Sequence, residues 1–165
     1  NPIGTLERGL ALENIEFFRG QLTISEPMPT PVIRQLKKLA HPSSGSIDIL
    51  DAPPGASCSV VETLRGVDYV LLVTEPTPFG LHDLKQIIGI LREMDISAGV
   101  IINRDGIGDD AVEMYCIAEK LSILLRIPFN RQIAEGISKG KTLVEIFPEY
   151  SVVFQQLLSR IQEDC

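Results

Sequence analysis

The stretch Ile47-Asp48-Ile49-Leu50-Asp51-Ala52-Pro53-Pro54-Gly55-Ala56-Ser57-Cys58-Ser59-Val60-Val61 decides the fold. It opens as a short apolar run of strand type, closes that run on an acid, breaks at Pro-Pro-Gly and resumes in residues that can start a helix. In an open α/β sheet, ligands bind outside the carboxyl ends of the strands. A strand ending at Asp51 therefore sends its carboxylate into a crevice rather than a core. The competing reading is a strand followed by a rigid turn, since Asp, Pro and Gly are the ordinary turn residues.

Working downstream, strands and helices alternate. A short helix runs to Arg65, a strand spans Tyr69 to Thr74, and Glu75 to Gly80 is a loop. Leu84, Ile87, Ile88 and Leu91 fall at helical spacing within 81–94, and a second buried strand spans Ala98 to Ile102. Further helices are expected over 110–124, 131–140 and 149–162, with a short strand at 125–129. Strands that are apolar on both faces and alternate with helices mean an α/β fold, a mostly parallel sheet covered by helices on both faces. Asp51, Thr74-Glu75, Asn103 and Asn130 each follow an expected strand, so one edge of the sheet collects polar groups.

Working upstream, residues 3–12 and 15–25 read as two extended segments, a candidate N-terminal β-hairpin. Glu26-Pro27-Met28-Pro29-Thr30-Pro31 is too proline-rich for helix or central strand. Val32 to Leu39 is a short helix with basic residues late in it, and 41–46 is a loop. All 165 residues are expected to form a single domain.

Composition narrows the function. With 44% hydrophobic and 22% charged residues the chain is globular, and a net charge of −7 argues against a binder of nucleic-acid phosphates. No stretch approaches the length of a transmembrane span and the first residues lack a signal-peptide pattern, so a soluble, cytoplasmic protein is expected. Cys58, Cys116 and Cys165 are far apart, without C-x-x-C spacing, and build neither a disulfide framework nor a metal site by themselves. Cys58, at a helix start beside the proposed site, is a candidate redox residue, with simple packing as the competing role.

The residue chemistry at the strand ends suggests a nucleotide. Asp51 is placed as a Walker B acid, helping to hold Mg²⁺ beside phosphates, and Gly55 as the pivot of a loop that responds to the γ-phosphate. Asn103 offers one donor and one acceptor to adenine N6 and N7. A guanine-reading Asn-Lys-x-Asp arrangement would need its acid one place later than Asp105, so adenine is favoured; the alternative role for Asn103 is to cap or turn the following loop. Gly140-Lys141-Thr142 imitates the end of a phosphate-binding loop, G-x-x-x-x-G-K-[ST], but position 135 is Glu and the segment follows a helix rather than a strand. Gly140 reads instead as a helix C-cap. His41 and His82 are isolated, and no nucleophile elbow or triad is present.

In this order and spacing, the chain resembles the MinD/ParA group of P-loop ATPases. It is most similar to the subfamily with an inserted ferredoxin-like iron–sulfur module. The resemblance rests on Gly20 to Ile33 with Glu26-Pro27-Met28, on Asp51-Ala52-Pro53-Pro54-Gly55 with Cys58, and on Val73-Thr74-Glu75-Pro76-Thr77 through Leu84. It continues through Val100-Ile101-Ile102-Asn103-Arg104 and Ile127-Pro128-Phe129 to Gly140-Lys141. It implies a P-loop NTPase-like sheet, ATP and Mg²⁺ as ligands of the complete protein, Asp51 as the Walker B acid and Gly55 as the switch glycine. It also implies Asn103 on adenine and the loop Pro128, Phe129, Asn130 to Ile133 closing over the base. Glu26 receives no role.

The lysine-bearing P-loop and its strand, and the cysteine-rich cluster module, are absent from these residues. The resemblance therefore implies the carboxyl-terminal part of a longer ATP-hydrolysing protein, inactive alone and with no cofactor expected on this piece. The complete protein would be linked to iron–sulfur chemistry and could form a nucleotide-bridged homodimer or work with a redox or iron–sulfur partner protein. A non-catalytic α/β ligand- or protein-interaction domain and a GTPase-like relative are the alternatives. The strand ending at Asp51 is expected to pair directly with the strand Tyr69 to Thr74, because the central P-loop strand is missing.

Overall fold

The computed structural model describes residues 2–12, 15–40 and 45–164, and the chain divides between Gly66 and Val67 into two compact units.

The first unit opens with the expected hairpin. Strands β1 (Gly4–Leu12) and β2 (Ile15–Leu22) pair antiparallel, with Thr5 opposite Gln21 and Arg8 opposite Phe18. Helix α1 (Thr30–Leu39) starts at the proline cluster, where a missing N–H costs nothing, and lays its buried Val32 against the hairpin. Gly20 permits that approach: a Cβ there would come within 2.8 Å of a Val32 methyl. Helix α2 (Cys58–Leu64) is fastened to α1 by polar contacts. Arg34 donates two hydrogen bonds to the Glu62 carboxylate, at 2.8 and 3.0 Å, and the Lys37 ammonium donates to the Thr63 carbonyl at 2.8 Å and to that of Arg65. Those carbonyls end α2 without intrahelical partners, so a half-buried cation there satisfies them. Burial pulls the Lys37 pKa down, against the pull of Glu62.

One expected strand does not form. Residues 46–57 contain no strand, and Ile47, Ile49 and Leu50 are 53%, 90% and 39% exposed. An apolar run becomes a strand only where a neighbour completes its ladder, and among the described residues none pairs with it. The expected direct pairing of this run with Tyr69–Thr74 is accordingly not found. The expected loop 41–46 lies for the most part outside the described residues.

The second unit is the parallel sheet. Its elements are β3 (Tyr69–Thr74), α3 (Pro78–Met94), β4 (Ser97–Asp105), α4 (Ala111–Ala118), β5 (Ser122–Pro128), α5 (Arg131–Ser138), α6 (Leu143–Ile146) and α7 (Tyr150–Asp164). The strands lie in the order β3-β4-β5, all parallel, with Leu72 opposite Val100 and Val100 opposite Ile123. Val100, Ile101 and Ile102 are all buried, as a strand covered on both faces requires. Leu84, Ile88 and Leu91 of α3 and Val112 and Cys116 of α4 are also buried, and both helices pack on the sheet. Leu157, Phe154 and Ile161 of α7 pack with Ile101 and Leu124.

Gly99 is required where Leu124 crosses β4, since a Cβ would come within 2.4 Å of a Leu124 methyl and 2.5 Å of the Tyr69 hydroxyl. The α/β class, the parallel sheet with helices on both faces and the N-terminal hairpin are thus as the residues predict.

Several element boundaries differ from those expected. The helix expected over 110–124 stops at Ala118, because Lys120 takes a left-handed conformation (φ +59°) and the Lys120 and Leu121 amides close back on Ile117 and Cys116. β5 can therefore start at Ser122, three residues earlier than expected. β4 runs on to Asp105, so Asn103 lies inside the strand and not after it.

Candidate functional site

The carboxyl edge of the three-stranded sheet is built by three short segments that hold one another. β3 ends at Thr74, whose hydroxyl donates to the Gly80 carbonyl at 3.0 Å, while the Thr77 hydroxyl accepts from the Gly80 amide at 3.1 Å. Thr77 is thus the N-cap of α3, and the expected loop is shortened to Glu75–Thr77. The turn is folded so tightly that a Cβ at Gly80 would stand 2.2 Å from the Glu75 carbonyl oxygen.

β4 contributes an irregularity. Its ladder with β5 shifts register between Ile102 and Asp105, and Arg104 sits at φ +55°, a left-handed conformation that non-glycine residues rarely take. Bulges of this kind bend a strand and re-aim its side chains, and local strain is held only where surrounding contacts impose it. Those contacts are present. The Arg104 guanidinium lies over the Phe129 ring, 5.6 Å from its centroid, and reaches the Glu75 carboxylate at 3.4 Å. The Phe129 amide donates to the Asp105 carbonyl at 2.9 Å. Arg126 pairs with Asp105 at 3.4 Å and with Glu113 at 2.8 Å.

Of the residues singled out from the sequence, Asn103, Pro128, Phe129 and Asn130 fall along this edge or in the turn that follows it, and Ile133 lies in the first turn of α5. Asn103 is half-buried, and its side-chain amide makes no hydrogen bond among the described residues. Asn130 is engaged: its side-chain oxygen accepts from the Gln132 amide at 2.8 Å and caps α5. Phe129 is 55% exposed, Pro128 is exposed and Ile133 is half-buried. Arg104 and Arg126 were not singled out as site residues; charge pairs between separate strands leave no local signal in a sequence.

Asp51, Gly55 and Cys58 belong to the first unit, and all three are exposed. Gly55 has φ +85°, a conformation that only glycine adopts without strain, with open space around it. Asp51 is a single solvent-facing carboxylate. Mg²⁺ in nucleotide sites commonly takes one or two protein carboxylates, substrate phosphates and water, so one exposed acid suits a Mg-nucleotide better than a resident metal. Among the described residues no three His, Cys, Asp or Glu stand close enough to hold a metal ion. Cys58 is exposed and Cys116 buried, with burial pushing the Cys116 thiol up, and the two do not supply the four thiolates of a cluster. The described residues do not fit an iron–sulfur centre.

No family model matches the chain. Among curated proteins, an uncharacterized protein of Methanocaldococcus jannaschii is 32% identical over 126 residues, 76% of this chain and 44% of that protein. An iron-sulfur cluster carrier protein of Aquifex aeolicus is 28% identical over 125 residues, 66% of this chain and 34% of that protein. Among solved structures, the cell division ATPase MinD of Pyrococcus furiosus superposes with a TM-score of 0.55 at 25% identity, over 70% of this chain and 51% of that one. The MinD cell division protein of Aquifex aeolicus gives 0.58 at 22% identity, over 83% and 63%. The chain spans less than half the length of these two curated relatives. It has the MinD-like P-loop NTPase fold, and no described helix is long and apolar enough to cross a membrane.

Proposed function

We propose that this chain is the carboxyl-terminal part of a MinD/ParA-like protein that binds and hydrolyses ATP, working in a process linked to iron–sulfur clusters. The observation that carries the nucleotide reading is the bulge at Asn103–Arg104. It leaves an unengaged, half-buried amide at the carboxyl edge of a parallel sheet of MinD-like fold.

In this reading the Asn103 amide donates to adenine N7 and accepts from N6, a pair of contacts that guanine's two acceptors at O6 and N7 cannot both complete. Pro128 to Ile133 closes over the base, and the Asp105–Phe129 backbone bond fixes where that loop begins. Asp51 would hold Mg²⁺ through water, and the metal would supply neutralisation of the phosphate charge that develops during transfer. Gly55 lets the adjoining backbone follow the γ-phosphate. The iron–sulfur link is supported by likeness to a cluster carrier protein, whose metal would be cargo or lie in segments other than this one. Cys58, exposed, is the residue through which a thiol exchange with such a partner would run. Nucleotide-bridged pairing of two copies belongs to the same reading.

Competition between Mg-ATP and Mg-GTP for the longer protein tests it. Saturable ATP binding that excess GTP fails to displace is the expected result. Equal displacement favours a GTPase-like relative, and no nucleotide binding favours a non-catalytic interaction domain.

A further inference from the structure

The same edge carries a planar cation that is already positioned. Arg104 is placed from three sides: by its left-handed backbone, by the Phe129 ring beneath its guanidinium and by the Glu75 carboxylate at 3.4 Å. Its side chain is nevertheless 51% exposed, so with the ring and the acid in place about half of it stays open to solvent. A guanidinium is weakly hydrated on its faces and stacks on aromatic planes. A ligand that stacks on it here loses little side-chain freedom, because the contacts to Glu75 and Phe129 have already ordered it.

We propose that Arg104 is the stacking platform for the base, with the nucleobase as the third layer of a pile that runs Phe129, Arg104, base. The proposal rests on the base-site reading and divides its work. Every base has a π-face, so Arg104 contributes affinity to adenine and guanine alike, while the Asn103 amide beside it supplies the preference. Glu75 holds one guanidinium nitrogen, at 3.4 Å, and so helps to keep the side chain over the ring.

Nucleosides suit the test, because they lack phosphate and probe the base site alone. Adenosine and guanosine are titrated separately into the 165-residue chain, followed by NMR of backbone amides and of the Arg104 Nε–H. Adenosine is expected to bind in the millimolar range and to shift the Arg104 Nε–H upfield through the ring current of the base. Arg104→Ala should weaken both nucleosides by roughly fivefold. Arg104→Lys, which keeps the charge and loses the plane, should behave like the alanine variant. Glu75→Gln, which removes the charge that helps to order the guanidinium, should weaken both nucleosides alike and by less than Arg104→Ala.

Adenosine binding that depends on Asn103 but is unchanged or tightened in Arg104→Ala, or that is rescued by lysine, overturns the platform and leaves the base site standing. Absence of any nucleoside-induced shift at Asn103, Arg104 and Phe129 overturns both.

Discussion

Arg34 and Glu62, distant in sequence, meet side-on, with two N–H groups of the guanidinium on the two oxygens of one carboxylate at 2.8 and 3.0 Å. The bonds from Arg34 hold the Glu62 carboxyl below its usual pKa, with burial opposing and the charges of Arg34, Arg65 and Lys37 assisting. The folded chain thus binds a proton on Glu62 only at lower pH than the unfolded chain does. The resulting stabilisation is complete above the ordinary glutamate range, near pH 4–5, and disappears as pH falls through the depressed folded value. Thermal unfolding of wild type and Glu62→Gln should differ most near neutral pH and converge in acid. A constant gap at every pH would contradict this account of the α1–α2 contact.

Gly99 lies where β4 passes under Leu124. Gly99→Ala should destabilise the second unit by about 1–3 kcal/mol, the usual cost of an extra methyl in a packed core. Denaturant unfolding measures it, and a neutral result would mean that Leu124 and Tyr69 rearrange freely.

Much of this architecture could be read from residue patterns, for identifiable reasons. Tyr69 to Thr74 is an uninterrupted apolar run between polar loops, and its limits were legible to the residue. Where the reading failed, the cause was a conformation or a neighbour. Lys120 and Arg104 adopt left-handed backbone without being glycine, so neither the early end of α4 nor the bulge in β4 leaves a mark in composition. Ile47 to Leu50 has the pattern of a strand, but pattern cannot show whether a neighbouring edge exists. At the site, Asn103 was visible as a polar group closing an apolar run. The Glu75–Arg104–Phe129 contacts join the ends of three strands and emerge only from the fold.

The sequence contains no G-x-x-x-x-G-K-[ST] motif, and backbone amides with a lysine supply most of the grip on phosphates in P-loop proteins. Titration calorimetry of this 165-residue chain with Mg-ATP should accordingly show weak binding or none. Low-micromolar affinity would contradict the reading of the chain as one part of a larger ATPase.

In the complete protein, Asp51→Asn should lower ATP turnover by a far larger factor than it lowers ATP affinity, since the proposed carboxylate acts where charge develops in the transition state. Steady-state hydrolysis alongside equilibrium binding separates the two quantities. Unchanged turnover would return Asp51 to the role of a turn residue.

The central claim is that Asn103 reads adenine, and binding of ATP and GTP to the complete protein carrying Asn103→Ala tests it most directly. The account predicts that ATP weakens by about 1–3 kcal/mol, the scale of a good bidentate base contact, while GTP changes little, so that the preference narrows. Equal weakening of both nucleotides would show that Asn103 holds a loop in place and does not read the base.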